Sequence, residues 1–180
     1  MTDLGNMVYF LGMKIMYYEK GIILHQLKYE LELLKRFELL SCKVIVTPAD
    51  ANQKLDSDGD DVDAAMFKQL IGSLRYLCNT RLDIFYAVGM MSVFMSKPKW
   101  YRYQDAIIIL RHIKGTHKYG VLFPSGAEAD SKLLSYSNFD WCGDRVDRRS
   151  TSGYLFKFMR SPISWCFKKQ SVVALSTYEA

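Results

Sequence analysis

Three aspartates stand close together in the stretch LLSYSNFDWCGDRVDRRSTSGYLF, which covers residues 133–156. Its first residues, LLSY, are of types common in β-strands, and Asp140, Asp144 and Asp147 follow them. Carboxylates at the end of a strand can hold magnesium ions, which activate water for hydrolysis. The stretch is therefore a candidate metal site, and its chemistry would be metal-assisted hydrolysis.

The composition indicates a folded protein with one ordinary core or two small ones. The chain has 180 residues, of which 49% are hydrophobic and 14% aromatic, and this excludes an intrinsically disordered chain. The formal net charge of +5 is compatible with a phosphate-bearing partner, but a modest basic excess also keeps ordinary soluble domains dispersed. The charge alone therefore predicts no function.

The cysteines and the apolar runs both favour an intracellular protein. Cys42, Cys78, Cys142 and Cys166 lie far apart and form no C-x-x-C pair, which favours reduced thiols over a zinc site or a disulfide framework. No apolar run approaches the roughly 20 residues that cross a bilayer, and the first ten residues lack the features of a secretory signal. We expect the chain in the cytoplasm or nucleus, without a membrane partner.

Residues 1–47 are predicted to form a hairpin and a helix. VYFLGMKIMYY (8–18) and IILHQ (22–26) are rich in strand-forming residues and flank a turn at 19–21. Leu27, Leu31 and Leu34 then recur at helical spacing in LKYELELLKRFELL.

Residues 48–61 are polar and acidic, which is typical of an exposed linker. Within them, DSDGD (56–60) imitates the start of a calcium-binding loop. Its glycine is fourth rather than sixth, and the position of the bidentate glutamate is taken by Phe67, which belongs to an apolar helical stripe. The segment therefore predicts a linker and no calcium site.

Helical periodicity dominates residues 62–118, and strand-like runs follow in residues 119–180. Three apolar stripes predict a small helical bundle: Phe67, Leu70, Ile71, Leu74 and Leu77; Ile84, Ala87, Val88, Met91, Phe94 and Met95; Ala106, Ile109, Leu110 and Ile113. The runs GVLF, KLLSYS, GYLFKF, ISWCF and VVALS predict a second sheet. The whole pattern predicts an α+β fold.

The order of these pieces resembles the Pol polyprotein of copia-type LTR retrotransposons, across the join between reverse transcriptase and ribonuclease H. The resembling blocks are DLGNMVYFLGMKI, GIILHQLKYELELLKRF, IGSLRYL, TRLDI, ILRHIKGT, RRSTSGYLF, ISWCFKKQ and VALSTYEA. The resemblance covers almost the whole chain, and a plant source would fit it. It implies a C-terminal palm hairpin and helix in residues 1–47, a helical thumb and connection in 62–118, and the first strands of an incomplete ribonuclease H-like α/β fold in 119–180.

The resemblance also implies that the metal centres of the intact enzyme are incomplete here. The family's polymerase centre has a Tyr-x-Asp-Asp turn, which this sequence lacks. The ribonuclease block of the family reads Tyr-Ser-Asp-x-Asp-Trp, and this chain has Asn138 where the first magnesium-binding aspartate is expected. The next acidic ligand lies in a Glu-Ala-Glu-Tyr block, of which the chain contains only Glu179 and Ala180. The Mg²⁺ of the intact family enzyme is therefore not expected in this chain.

Asp140 is a weak alternative ligand, because a residue two positions after Asn138 points to the same face of an extended strand. The ordinary interpretation is that Asp140 and Asp144 are turn residues that form hydrogen bonds and pair with neighbouring arginines. Those arginines are Arg145, Arg148 and Arg149.

Nucleic-acid contact is the function that the resemblance leaves open, because the family's thumb and connection grip a template-primer duplex through its phosphates. The hairpin near GIILHQ resembles the primer grip. We expect weak, non-specific binding of an RNA–DNA or DNA duplex. The candidate contacts are Lys97, Lys99, Arg111, Lys114, Lys118, Arg148, Arg149, Lys168 and Lys169. The alternative for each of them is a solvated surface charge.

Two hypotheses about function follow. The chain is a non-catalytic fragment of a copia-type polymerase and ribonuclease H that at most binds nucleic acid, or it is a segment of a functional enzyme that flanking sequence completes. The sequence does not predict an oligomeric state.

Overall fold

The computed structural model describes residues 5–49, 59–125, 132–143 and 148–178. Within these ranges the chain forms four α-helices, one short 3₁₀ turn and seven β-strands in two sheets. This mixture confirms the predicted combination of helices and sheets. None of the helices in the described part of the chain is long and apolar enough to cross a membrane.

Three strands come first along the chain, the helices follow, and four strands come last. The helices are α1 (Leu27–Arg36), α2 (Ala64–Leu77), α3 (Phe85–Ser92) and α4 (Trp100–Gly115), and the 3₁₀ turn covers Leu82–Ile84. The strands are β1 (Tyr9–Phe10), β2 (Met13–Tyr18), β3 (Gly21–His25), β4 (Val121–Pro124), β5 (Leu133–Asp140), β6 (Thr151–Phe158) and β7 (Ser161–Lys169). The first sheet has the strand order β1-β2-β3-β4, and the second has the order β5-β6-β7.

The chain divides into two compact units. The first comprises Met1–Met16 and Leu24–Gly120, and the second comprises Tyr17–Ile23 and Val121–Ala180. In the predicted linker, residues 50–58 lie outside the described residues, and so does most of the DSDGD motif.

The core of the first unit lies among its four helices. Helix α2 begins after Asp63, whose side chain accepts a hydrogen bond from the Ala65 backbone N–H at 2.8 Å. The predicted stripe on α2 is completely buried, including Phe67, and this confirms the predicted apolar face of the helix. In the second stripe, Phe94 and Met95 lie beyond the end of α3 and are only half-buried.

An arginine with no exposed surface, Arg81, lies within this core. Its Nη1 donates to Glu30 Oε1 at 2.7 Å, and its Nε and Nη2 donate to the two carboxylate oxygens of Asp83 at 2.9 and 2.7 Å. Nη2 also donates to the Thr116 hydroxyl, and His112 Nε2 lies 3.0 Å from Asp83 Oδ2. The network therefore links α1, the 3₁₀ turn and the end of α4.

Burial and charge act on the two carboxylates of this network in different ways. Burial raises the pKa of Glu30, although the charge of Arg81 acts in the opposite direction. Burial would also raise the pKa of Asp83, but its hydrogen bonds and charge attraction to Arg81 and His112 outweigh burial and hold that pKa below its ordinary value. Asp83 therefore stays ionised as the counter-ion of Arg81.

The first strand is shorter than its sequence predicts. Residues 8–18 form two strands rather than one, because Leu11 (φ 46°) and Gly12 (φ 76°) make a tight turn between β1 and β2. The Tyr76 hydroxyl donates to the Leu11 carbonyl oxygen at 2.7 Å. A Cβ at Gly12 would lie 1.8 Å from that hydroxyl and would displace the Tyr76 side chain, and the positive φ of Gly12 also favours glycine.

The second unit is built around the antiparallel sheet β5-β6-β7. Leu133 to Asp140 pair without interruption with Phe158 to Thr151, and β6 then pairs with β7 with one irregularity at Phe156/Lys157. A two-residue turn joins β6 to β7, and both of its residues, Met159 (φ 49°) and Arg160 (φ 68°), have left-handed backbone conformations.

One sheet assignment and one strand prediction for the second unit are wrong. GVLF does form a strand, β4. GVLF does not begin the second sheet, because β4 lies next to β3 in the first sheet. VVALS does not form a strand: the Ala174 carbonyl in this run accepts a hydrogen bond from Trp141 Nε1 at 3.2 Å. Both outcomes depend on contacts between residues far apart in sequence. Local strand propensity carries no information about such contacts.

Candidate nucleic-acid interface

Asn138 and Asp140 lie near the end of β5, on the same face of the sheet. Asn138 is opposite Gly153 and Asp140 is opposite Thr151 on β6. The Asp140 side chain accepts a hydrogen bond from the Thr151 backbone N–H. Its other carboxylate oxygen, Oδ2, lies close to Gly143. A Cβ placed on Gly143 would be 2.1 Å from this oxygen. The side chain of Asp140, the last residue of β5, is therefore held by the turn that follows the strand.

These residues do not fit a magnesium site. Asn138 offers a neutral amide, and Asp140 is engaged by the turn that it closes. No group of three or more His, Cys, Asp or Glu side chains within the described ranges could hold a metal ion. Asp144, Arg145 and Asp147 lie outside the described residues.

The nine candidate basic residues are divided between the two units. Lys97, Lys99, Arg111, Lys114 and Lys118 belong to the first unit, and Arg148, Arg149, Lys168 and Lys169 belong to the second.

The four basic residues of the second unit meet at one end of the sheet. Lys168 and Lys169 close β7 opposite Ser152 and Thr151, and Arg148 and Arg149 directly precede β6. Because the strands are antiparallel, this is the end at which β5 finishes with Asp140. The structure therefore brings together basic residues that lie about 20 positions apart in sequence. Arg148 and Lys168 are exposed.

The five residues of the first unit lie at the two ends of α4. Lys97 and Lys99 precede this helix, and the others lie in its last turns or beyond it. Since an α-helix rises about 1.5 Å per residue, the 12 positions from Lys99 to Arg111 separate the two groups by roughly 18 Å. Trp100, half exposed, stacks on Tyr103 at the first group, with ring centroids 5.5 Å apart.

Several of these five side chains already have partners in the protein. Lys99 Nζ lies 2.9 Å from Asp61 Oδ1. Arg111 Nε donates to the Lys43 carbonyl at 2.8 Å, and Lys114 donates to the Cys42 carbonyl. Arg111 and Lys114 therefore fasten the segment after α1 to α4. Lys97 and Lys118 are exposed.

A cleft of about 400 Å³ lies where the first hairpin meets α1. Its lining residues are Tyr9, Gly12, Lys14, His25, Gln26, Leu27, Lys28 and Leu31. His25 Nδ1 accepts a hydrogen bond from the Leu27 backbone N–H at 3.3 Å, and burial, followed by the charge of Lys14, lowers the pKa of this histidine. The ring is therefore neutral at pH 7, and the positive charge at the cleft comes from Lys14 and Lys28.

Two features of these sites have no signal in the local sequence. Lys157 Nζ lies 5.8 Å from the centre of the Tyr136 ring, and Lys14 and Lys28 converge on one cleft. Lys157 lies opposite Leu134, the neighbour of Tyr136 on the same face of the sheet. Only the strand register reveals such a pair, because 21 positions separate the two residues in sequence.

Proteins with similar sequences come from plant transposons. The retrovirus-related Pol polyprotein from transposon RE1 of Arabidopsis thaliana is 38% identical over 180 residues, which cover 99% of this chain and 12% of that polyprotein. The Pol polyprotein from transposon TNT 1-94 of Nicotiana tabacum is 35% identical over 191 residues, which cover 100% of this chain and 14% of that polyprotein. The chain thus spans only a small part of these relatives.

A relative of more similar length is the uncharacterized mitochondrial protein AtMg00810 of Arabidopsis thaliana. It is 33% identical over 182 residues, which cover 99% of this chain and 74% of that protein. No protein-family model and no solved structure matches the chain. The sequence relatives and the order of the blocks along the chain lead to one assignment: this chain belongs to the copia-type, retrovirus-related Pol polyproteins of transposons.

Proposed function

We propose that this chain is the part of a Pol polyprotein that joins the reverse transcriptase to the start of ribonuclease H, and that by itself it binds nucleic-acid duplexes without cleaving or copying them. The observation that carries the proposal is the basic end of the β5-β6-β7 sheet. Four basic residues meet there beside Asn138, which is neutral where the family's chemistry needs a carboxylate. Such a surface attracts phosphates but cannot position a metal ion.

The absence of cleavage is the first prediction. We expect no cutting of the RNA strand of an RNA–DNA hybrid with Mg²⁺ or Mn²⁺, because a two-metal reaction tolerates little displacement of its ligands. Asn138→Asp should not restore cleavage, since Asp140 remains engaged with Thr151 and no group of three or more His, Cys, Asp or Glu among the described residues could hold a metal ion. The measurement is the release of labelled RNA fragments, and metal-dependent release by the unaltered chain would contradict the proposal.

The second prediction concerns binding through phosphates. We expect a dissociation constant of about 10⁻⁴ to 10⁻⁶ M at physiological salt, with log affinity falling linearly with log salt concentration. Arg148→Gln together with Lys168→Gln should weaken binding to all sequences alike. The slope of the salt dependence should become shallower by about 0.9 for each phosphate that the variant no longer neutralises.

The matched control removes two charges elsewhere. Lys35 and Arg36 are exposed at the end of α1, and Lys35→Gln with Arg36→Gln should leave affinity and salt slope nearly unchanged. Titration of a labelled RNA–DNA hybrid at several salt concentrations compares the two double variants. Equal effects of both would mean that net charge, and not the basic end of the sheet, governs binding. Arg111 and Lys114 are unsuitable for this test, because their replacement would also release the segment at Cys42 and Lys43.

The second candidate function is a segment of a functional Pol enzyme that flanking sequence completes. The observation that favours it is the small share of the Pol relatives, 12% to 14%, that the chain covers. A longer reading frame with a Tyr-x-Asp-Asp turn before this chain and a Glu-Ala-Glu-Tyr block after it would support this second candidate. Interruptions on both sides would favour the non-catalytic fragment.

A further inference from the structure

Glu30 on α1 is a buried acid that is only half satisfied by hydrogen bonds. Its side chain has no exposed surface. Oε1 accepts the hydrogen bond from Arg81 Nη1, whereas Oε2 is buried and has no hydrogen-bond partner in the described part of the chain. A buried carboxylate oxygen without a partner is costly, because nothing replaces the water that it has lost. Glu30 is therefore poorly suited to carry a negative charge.

Asp83 shares the same guanidinium and is better suited to be its anion. Both of its oxygens accept hydrogen bonds from Arg81, and Oδ2 also lies 3.0 Å from His112 Nε2. The Asp83 side chain is 28% exposed, so it also keeps contact with solvent. Arg81 carries one positive charge and therefore neutralises only one of its two acidic partners. The hydrogen bonds and the exposure select Asp83 for that role.

The other titratable groups that surround this cluster come from three places in the first unit. Among the described residues they are Cys78 at the end of α2, His112 on α4, and His117 and Tyr119 after α4. Burial raises the pKa of the Cys78 thiol to about 12, so the thiol stays neutral. His112 Nε2 donates to Asp83. His117 Nδ1 donates to the Lys114 carbonyl at 3.1 Å. With both rings neutral, ionisation of both acids would give the cluster two negative charges and one positive charge.

We propose that Glu30 is the proton-binding member of this network: it takes up one proton at a pH at which ordinary glutamates are ionised, while Asp83 remains a carboxylate. The proton comes from solvent and bonds to Oε2, the oxygen without a partner, so Oε1 still accepts from Arg81. Arg81 and Asp83 then form a neutral pair, and no unbalanced charge is left in the core.

This proton controls how firmly α1 is held. Helix α1 packs against α2 and α4, and Glu30 is its connection to Arg81. Loss of the proton places a second negative charge beside Asp83, in surroundings that cannot hydrate it. We therefore expect α1 to be attached most firmly at mildly acidic pH and to loosen as the pH rises. The network is then a pH-sensitive latch between α1 and the rest of the helical core.

The directions of the two pKa changes agree with this division of roles. Burial raises the pKa of Glu30 against the attraction of Arg81. Burial would raise the pKa of Asp83 as well, but its hydrogen bonds to Arg81 lower it. A glutamate whose pKa is higher in the folded chain binds its proton more tightly there. Its contribution to stability is complete below the ordinary pKa of glutamate and is lost as the pH rises through the folded pKa.

Carbon-13 NMR of the whole chain with labelled glutamate measures the protonation directly. The Glu30 carboxyl signal is identified by its disappearance in Glu30→Gln. We expect this signal to titrate at a higher pH in the folded chain than in the same chain unfolded by urea, because the folded state disfavours the carboxylate. Titration at the same pH in both states, or at a lower pH in the folded chain, would overturn the proposal.

Urea unfolding over a range of pH tests the effect on stability. The folding equilibrium constant of the unaltered chain, divided by that of Glu30→Gln, should be constant below the ordinary pKa of glutamate. Between that pKa and the folded pKa it should fall by up to about tenfold per pH unit, because one proton is released, and then level off. Glu32→Gln is the matched control, because Glu32 is exposed on the same helix and lies 4.0 Å from Lys28.

The same ratio calculated with Glu32→Gln should change little with pH. A Glu30→Gln ratio that stays flat or rises with pH would contradict the latch. So would a Glu30→Gln chain that circular dichroism shows to be unfolded, because glutamine is the neutral isostere of the protonated acid and can still accept from Arg81.

Discussion

Replacing Arg81 by methionine is expected to lower the free energy of unfolding by about 3 to 5 kcal/mol, which is a large part of the stability of a small domain. The change leaves the Glu30 carboxylate without exposed surface and without its partner. It also removes both hydrogen bonds to Asp83 and the bond to Thr116. Urea unfolding followed by circular dichroism measures the change in stability.

A second variant separates the effect of the buried charge from the effect of packing. Adding Glu30→Gln to Arg81→Met should recover part of the stability, because the unpaired carboxylate becomes neutral. Arg75→Met, at an exposed position of α2, is the control and should change stability by less than about 0.5 kcal/mol. If Arg81→Met were as mild as Arg75→Met, the network would not be a determinant of stability.

Gly21→Ala is expected to destabilise the second unit by about 2 to 4 kcal/mol. Gly21 begins β3 with φ 138°, and a Cβ there would lie 2.1 Å from the Phe123 carbonyl oxygen and 2.8 Å from the Pro124 Cα. Both obstacles are backbone atoms of β4, which a side-chain rotation cannot move away. The strands must therefore separate, and the fluorescence of Trp141 and Trp165 during urea unfolding should report the destabilisation.

A second glycine gives the matched control for this change. Gly72 lies in the middle of α2, is exposed, and has nothing within 4 Å of its hypothetical Cβ. Gly72→Ala should raise stability by about 0.5 to 1 kcal/mol, because alanine loses less conformational freedom in a helix. Two chemically identical changes should thus have opposite signs. Destabilisation by both would mean that the close approach of β4 is not the cause.

Helical segments were predictable because their signal is local. Phe67, Leu70 and Leu74 repeat at the period of an α-helix, and each repeat needs only neighbouring residues to be recognised. Their complete burial follows from the same pattern, since one apolar face must be covered. The strand KLLSYS was predictable from its local residue types, although its position at the edge of the sheet was not.

The candidate site was predictable only as a set of residue types. The loss of a carboxylate at Asn138 can be read directly from the sequence, and so can the nine candidate basic residues, all of which lie in the second half of the chain. Whether each basic side chain is exposed or bonded within the protein could not be predicted. Lys97 and Lys118 are exposed whereas Arg111 and Lys114 hold backbone carbonyls, and nothing in the local sequence distinguishes these pairs.

The sequence by itself determined the periodicity of the helices, the membership of the copia-type Pol family and the neutral residue at position 138. Tertiary structure alone decided that β4 joins β3, that Arg81 is enclosed between Glu30 and Asp83, and that Arg148 and Lys168 meet at one end of a sheet. The physical reason is the range of the interactions. Helical spacing is set by bonds between residues four positions apart. The pairing of β3 with β4, the ion pair of Arg81 with Glu30 and the meeting of Arg148 with Lys168 join residues roughly 20 to 100 positions apart, so they depend on how the whole chain packs.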